Sequence, residues 1–274
     1  MAGAAILASV SSAGAAPRRV VSLNPCLDAI LLEVADPAQI TALSRYSRDP
    51  RLSAVANVAR RFPSTGGSAE EVVALKPDLV LTSGMGALEL TDTLPRLGVR
   101  QESFNVPASV DESLGQVDKI ARLVGHAERG ALLNARIRAA IIAAGPRPGE
   151  PRLGALIFEF QGLASGPRTL VDELMRRTGF DNLAARYGLA QTGNVPLEPL
   201  LADPPQVLLA GRMASGEPMW VDHELSHPAL KALQAKVRVE TFPEVLMWCG
   251  GPTMIAEAAA LARAREDALR GGSQ

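Results

Sequence analysis

This chain of 274 residues has little of what enzymes and metal centres are usually built from. Its only cysteines, Cys26 and Cys249, exclude a cysteine-rich zinc or iron–sulfur site and allow one disulfide between them. Histidine is also scarce. His223 and His227 have the four-residue spacing that can share a metal on a helix, but Pro228 disfavours helical backbone at His227. No glycine-rich phosphate loop follows a strand-like run, no GxSxG elbow is present, and no histidine stands beside a nucleophile, so no enzyme is expected. Thiol-redox chemistry at Cys26 and Cys249 is the lesser alternative despite the lack of CxxC spacing, and no resident cofactor or metal is expected either. The net charge of −1 and the lack of any block of lysine or arginine argue against nucleic acid or an anionic membrane as the main partner. No apolar run is long enough to span a bilayer. Aromatic residues make up 4% of the chain, so Trp220 and Trp248, both in loop-like sequence, draw notice.

What is present is an internal echo. The run AEEVVALKPDLVL at 69–81 returns as LEPLLADPPQVLL at 197–209, with Glu70 falling on Glu198, Val72 on Leu200, Pro77 on Pro205 and Leu81 on Leu209 at one constant offset. Each copy reads as a short amphipathic helix opened by a glutamate, stopped before a proline, and continued as a buried parallel strand. In the first copy Ser68 and Glu71 have capping-box spacing, which leaves Glu70 to point outward. With 47% apolar residues the chain has enough material for two cored lobes.

Strand and helix patterns alternate through the first hundred residues, with strands expected at 18–24, 40–43, 79–82 and 99–105 and a helix at 87–97. This predicts an α/β fold, a mostly parallel sheet with flanking helices. Helical periods follow at 110–124 and 127–144, the second with Leu132, Leu133, Ile137 and Ile141 on one side. Residues 145–151, GPRPGEP, break regular structure, and the scheme then repeats with strands at 153–160, 207–210 and 237–242 and helices at 169–178, 198–202, 228–233 and 253–269. The division is a first lobe at 17–125, a long rigid linking helix at 126–145 and a second lobe at 146–274. Residues 1–16 are small and apolar and end in a signal-peptidase-like Ala-Gly-Ala, which reads as an export signal without its usual basic start; a loose alanine-rich tail is the plainer alternative.

Several stretches, VVSLNPCLDAI at 20–30, SRYSRDP at 44–50, EEVVALKPDLVL, TLVDELMRRTGFDNLA at 169–184 and LEPLLADPPQVLLA, together resemble the class III periplasmic substrate-binding proteins of ABC importers for cobalamin, ferric siderophores and haem, the cobalamin branch above all. The resemblance covers nearly the whole chain after residue 16. It implies two α/β lobes joined by one helix, a monomer that holds a small metal chelate in the cleft with little hinge motion, and docking on a permease dimer through one glutamate per lobe, at Glu70 and Glu198. A corrinoid is the first expected ligand, a ferric siderophore or haem the next. For either glutamate alone, an answer to the helix dipole is the simpler reading.

In such sheets ligands bind beyond the carboxyl ends of the strands. The turns placed there hold Asn24, Cys26, Tyr46, Ser47, Ser83, Met85, Phe104 and Asn105 in the first lobe, and Phe160, Gln161, Met213, Trp220, Trp248 and Cys249 in the second. The tryptophans offer flat surface to a macrocycle or else pack in the core. Cys26 and Cys249 meet as a disulfide across the cleft, present a thiolate to a bound metal complex, or simply pack as small apolar residues. Arg45, Arg48, Arg168 and Arg212 lie near these turns; a cluster would suit an anionic ferric siderophore, a solvated rim arginine being the ordinary case.

Overall fold

A computed structural model describes residues 16–84, 88–159, 162–212 and 237–271. The signal-like segment up to residue 15, the helix expected at 228–233 and the His223/His227 pair lie outside the described residues. Five strands, β1 (Val20–Ser22), β2 (Ile40–Ser44), β3 (Ser64–Thr65), β4 (Leu79–Ser83) and β5 (Gln101–Phe104), form a parallel sheet in the order β3-β2-β1-β4-β5. A second parallel sheet has β6 (Leu153–Phe158), β8 (Phe180–Asn182), β10 (Val207–Arg212) and β11 (Arg238–Pro243) in the order β11-β10-β6-β8. A small antiparallel pair, β7 (Leu163–Ala164) and β9 (Gly193–Asn194), stands apart. This α/β pair of sheets is the architecture the sequence pattern predicts.

The echoed segment occupies equivalent places in the two sheets. Helix α3 (Ala69–Ala74) feeds β4 beside β1, and α8 (Leu197–Ala202) feeds β10 beside β6. Every residue of β4 is buried, as its unbroken apolar run requires of a central parallel strand. At the start of α3 the Ser68 hydroxyl accepts the Glu71 N–H at 3.2 Å, but the expected capping box is not completed. The Glu71 carboxylate instead accepts the Thr65 hydroxyl at 2.7 Å and the Gly66 N–H at 2.6 Å, which ties the helix to β3. Glu70 is left exposed, as expected. Helix α4 (Leu88–Arg96) ends at Gly98, whose φ of 75° is the left-handed turn a helix stop favours.

Two helices in sequence, α5 (Val110–Leu123) and α6 (Ala127–Ala143), carry the chain from one sheet to the other. Helix α6 packs against α1 (Pro25–Val34) and α5 on one side and against α7 (Leu170–Arg177) and α9 (Thr253–Gly271) on the other. A single apolar cluster therefore runs from Val20 and Leu79 through Leu133, Ile137 and Ile141 to Leu153, Phe180 and Phe242. Leu132 departs from the expected stripe: it is 67% exposed, because one residue turns a helix by about 100° and only Leu133 keeps the core-facing phase.

Two of the buried ionisable groups organise the interior. Arg265 of α9 donates to the carbonyls of Thr178 at 2.6 Å, Ala144 at 3.1 Å and Gly145 at 3.4 Å. Ala144 and Thr178 close α6 and α7, so one cation answers the negative ends of two helices. In the first lobe, Asp28 accepts the Ser44 N–H at 2.9 Å and the Ser47 hydroxyl at 2.5 Å. Loss of water pushes its pKa up to about 7, against the lowering effect of those donors.

Between ~3.9, where an unfolded aspartate titrates, and the folded value, the native state keeps a proton that the unfolded chain has released. Asp28 thus costs stability as pH rises through that window, and the cost levels off above it. Asp28→Asn is expected to make denaturant unfolding free energies less dependent on pH between 5 and 8, with its largest stabilisation, up to about 4 kcal/mol, at the alkaline end. Parallel pH profiles of the two proteins would show that Asp28 is not the source.

Candidate ligand cleft between the lobes

Parallel strands put their carboxyl ends on one edge, and the turns that leave that edge bring Asn24, Ser83 and Asn105 together in the first lobe. Asn24 also caps α1, its side-chain oxygen accepting the N–H groups of Cys26 at 2.8 Å and Leu27 at 3.3 Å. The second lobe faces this edge through residues 247–251, which follow β11. Here Cys26 and Cys249 are joined as a disulfide, with Cα atoms 5.0 Å apart. That outcome selects among the three readings of the cysteines and overturns the thiolate, since neither sulfur is free.

Next to the disulfide the lobes touch backbone to side chain. The Gly251 N–H donates to the Ser113 hydroxyl of α5 at 2.7 Å, and the Val110 N–H, at the start of α5, donates to Glu173 of α7 at 2.8 Å. A Cβ on Gly250 would lie 2.2 Å from the Ser113 oxygen, and one on Gly251, whose φ is 62°, would lie 2.6 Å from Ile30. Only glycine fits at either place.

Two cavities open beside this seam. The smaller, about 40 Å³, lies among Asn24, Cys26, Ser83, Asn105, Gln116 and Trp248. The larger, about 430 Å³, has Glu159, Ser165, Arg168, Thr169, Thr192 and Met247 on its second-lobe side. Val106, Pro107, Trp248 and Gly250 border both. Trp248 is 41% exposed and Val106 58% exposed, large apolar surfaces of the kind that a buried ligand covers. Glu159, at the end of β6, accepts the Ser165 hydroxyl at 2.5 Å, and burial pushes its carboxyl above the usual range.

Of the residues proposed from sequence, Asn24, Cys26, Ser83 and Trp248 line these cavities, and Cys249 lies directly beneath as the partner of Cys26. Ser47 is a correction: it is fully buried and serves Asp28, so it faces away from any ligand. Tyr46 is exposed but borders neither cavity; Arg45 covers its ring at 5.0 Å and donates to its hydroxyl at 3.0 Å. Met85, Phe160, Gln161, Met213 and Trp220 lie outside the described residues. Sequence reasoning missed Glu159, Ser165 and Thr192. Glu159 was legible as the residue after an apolar strand, whereas Thr192 comes from a loop without pattern.

Among the described residues no cluster of three or more histidine, cysteine or carboxylate side chains is arranged to hold a metal, and no helix is long and apolar enough to cross a membrane. Two lobes with parallel sheets, joined through α5 and α6, and cavities between their carboxyl edges give the architecture of a cleft-type binding protein. The chain belongs to the periplasmic binding protein family, whose model matches residues 20–241. Its fold is similar to that of the periplasmic haem-binding protein RhuT from Roseiflexus sp. RS-1 in apo form, with a TM-score of 0.76 at 23% identity over 92% of this chain and 98% of that one. It is also similar to the vitamin B12-binding protein BtuF of Vibrio cholerae (0.68, 18%, 93% and 98%) and to the haem-binding protein HutB of Vibrio cholerae (0.71, 18%, 89% and 97%). No curated protein matches the chain by sequence. The family and these neighbours are described as periplasmic binding proteins, of the class III importer type.

The disulfide closes a loop with a sequence separation of 223 residues, for which chain entropy alone gives about 5 kcal/mol of stabilisation. Replacing Cys26 and Cys249 by serine is expected to lower the denaturant midpoint strongly, and thiol titration of the unreduced, unfolded wild type should find no free thiol. Two titratable thiols would contradict the bond.

Proposed function

We propose that this protein captures a metal chelate of the tetrapyrrole class, a corrinoid or haem, in the cleft and delivers it in the periplasm to the permease of an ABC importer. The observation that carries the reading is the exposed apolar pair Trp248 and Val106 at the common border of the two cavities. A flat macrocycle gains both area and stacking from such a surface, while amide and hydroxyl groups around it hold the ligand's polar edge. The known ligands of the neighbouring structures, haem and vitamin B12, agree with this class.

The docking half of the proposal rests on Glu70 and Glu198. Both are exposed in the first turns of α3 and α8, the helices that lead into β4 and β10. Such a helix starts near the carboxyl edge of its sheet, so each lobe offers one carboxylate on the side of the cleft mouth. The Glu70 carboxylate is held below its usual range by its own N–H and by the Ser68 hydroxyl, which keeps it charged. Paired carboxylates suit two arginines on a two-subunit permease, where charge-assisted contacts set orientation.

Calorimetric titration with cyanocobalamin, haem and a ferric hydroxamate is the direct test. Tight binding of a tetrapyrrole is expected; a preference for the hydroxamate would replace this reading with the siderophore one. Trp248→Ala should weaken binding tenfold or more, and unchanged affinity would remove Trp248 from the site. The double change Glu70→Ala with Glu198→Ala should abolish uptake while affinity stays within a few fold. Surviving transport would end the docking hypothesis.

A further inference from the structure

The larger cavity has two ionisable side chains among its described lining residues, Glu159 and Arg168, and they differ in what they have left to offer. Glu159 is buried and already bound to the Ser165 hydroxyl. Arg168 is exposed, and among the described residues its guanidinium has no hydrogen-bond or ion-pair partner. The arginines of α7 just after it are committed, Arg176 to Asp172 at 2.7 Å and Arg177 to Glu173 at 2.6 Å.

The backbone under Arg168 is fixed although its side chain is not. Its φ is 63°, a left-handed conformation that an L-residue adopts at a cost and that glycine adopts freely. Its N–H donates to Asp172 at 3.2 Å, and the same carboxylate is taken up by Arg176 and Asn182. Asp172 therefore anchors the main chain without neutralising the guanidinium. The result is a fixed base from which a cation without a partner among the described residues borders the cavity.

We infer that Arg168 reads an oxyanion on the rim of the ligand, a carboxylate side arm, and so selects a chelate with an acidic edge over one edged with neutral amides. The inference rests on the tetrapyrrole reading above and sharpens it, because haem carries two carboxylates and the corrinoid periphery is amide. A guanidinium matches a carboxylate with two parallel hydrogen bonds, and the partly enclosed cavity screens the pair less than open water does.

The test compares iron(III) protoporphyrin IX, its dimethyl ester and cyanocobalamin, titrated into wild type and Arg168→Gln and followed by tryptophan fluorescence. Wild type should favour the diacid over the ester by about tenfold or more, the scale of one hydrogen-bonded charge. Arg168→Gln should lose that preference while its affinity for the ester stays the same, and Arg168→Lys should recover part of it. Equal binding of diacid and ester by wild type, a preference that survives in Arg168→Gln, or tight binding of cyanocobalamin alone would each overturn the inference and leave the tetrapyrrole reading standing. Binding of none of the three would overturn the tetrapyrrole reading and this inference with it.

Discussion

The contact of residues 249–251 with the first lobe is the constraint on which the rest depends. Gly250 and Gly251 come so close to Ser113 and Ile30 that a single added carbon would push the lobes apart, and the Ser113 hydroxyl takes up the Gly251 N–H that burial would otherwise orphan. Trp248 and Cys249 are the residues just before this contact. The position of the tryptophan face is thereby set by the first lobe, although the tryptophan belongs to the second. Cleft shape and the covalent link both follow from one short run of chain.

Around this seam the interior manages its charges by neutralising them or by spreading them over helix ends. Asp28 and Glu257 are fully buried carboxyls whose pKa values are raised by loss of water, with Glu159 adding like-charge repulsion at Glu257. Arg265 is met by three carbonyls at the ends of two helices and by the Glu150 carboxylate at 3.5 Å. Apart from Glu159 and Arg168, the polar groups of the described residues facing the cavities are hydroxyls and amides, a lining that can exchange partners with a ligand at small cost.

Much of this was legible in the sequence because it depends on local pattern. The paired helix–strand units were visible since both copies need the same apolar and proline positions to enter a buried parallel strand. Helix α6 was visible from its period, and the cavity-lining places of Asn24, Ser83 and Trp248 from the rule that the open edge of such sheets lies beyond the carboxyl ends of the strands. What was hidden depends on partners distant in sequence. Ser47 sits in a polar turn that looks solvated, and only Asp28, nineteen residues earlier, draws it inside. Glu71 has the spacing of a capping box, yet Thr65 and Gly66 are better placed to receive its carboxylate. Strands as short as β3 and the β7–β9 pair carry too few residues to show a period, and a separation of 223 residues says nothing about whether two cysteines meet.

The Cys26–Cys249 bond has a mechanical consequence. Most of the two-lobed body lies on the chain between the two sulfurs, so tension applied to the chain ends would bypass the strands from β2 to β11 and α6 and fall on β1, α9 and the disulfide itself. Under load the segments outside the bond would yield first, β1 from the middle of the first sheet at one end and Gly250, Gly251 and α9 at the other, while the strands between the sulfurs stay covalently tied.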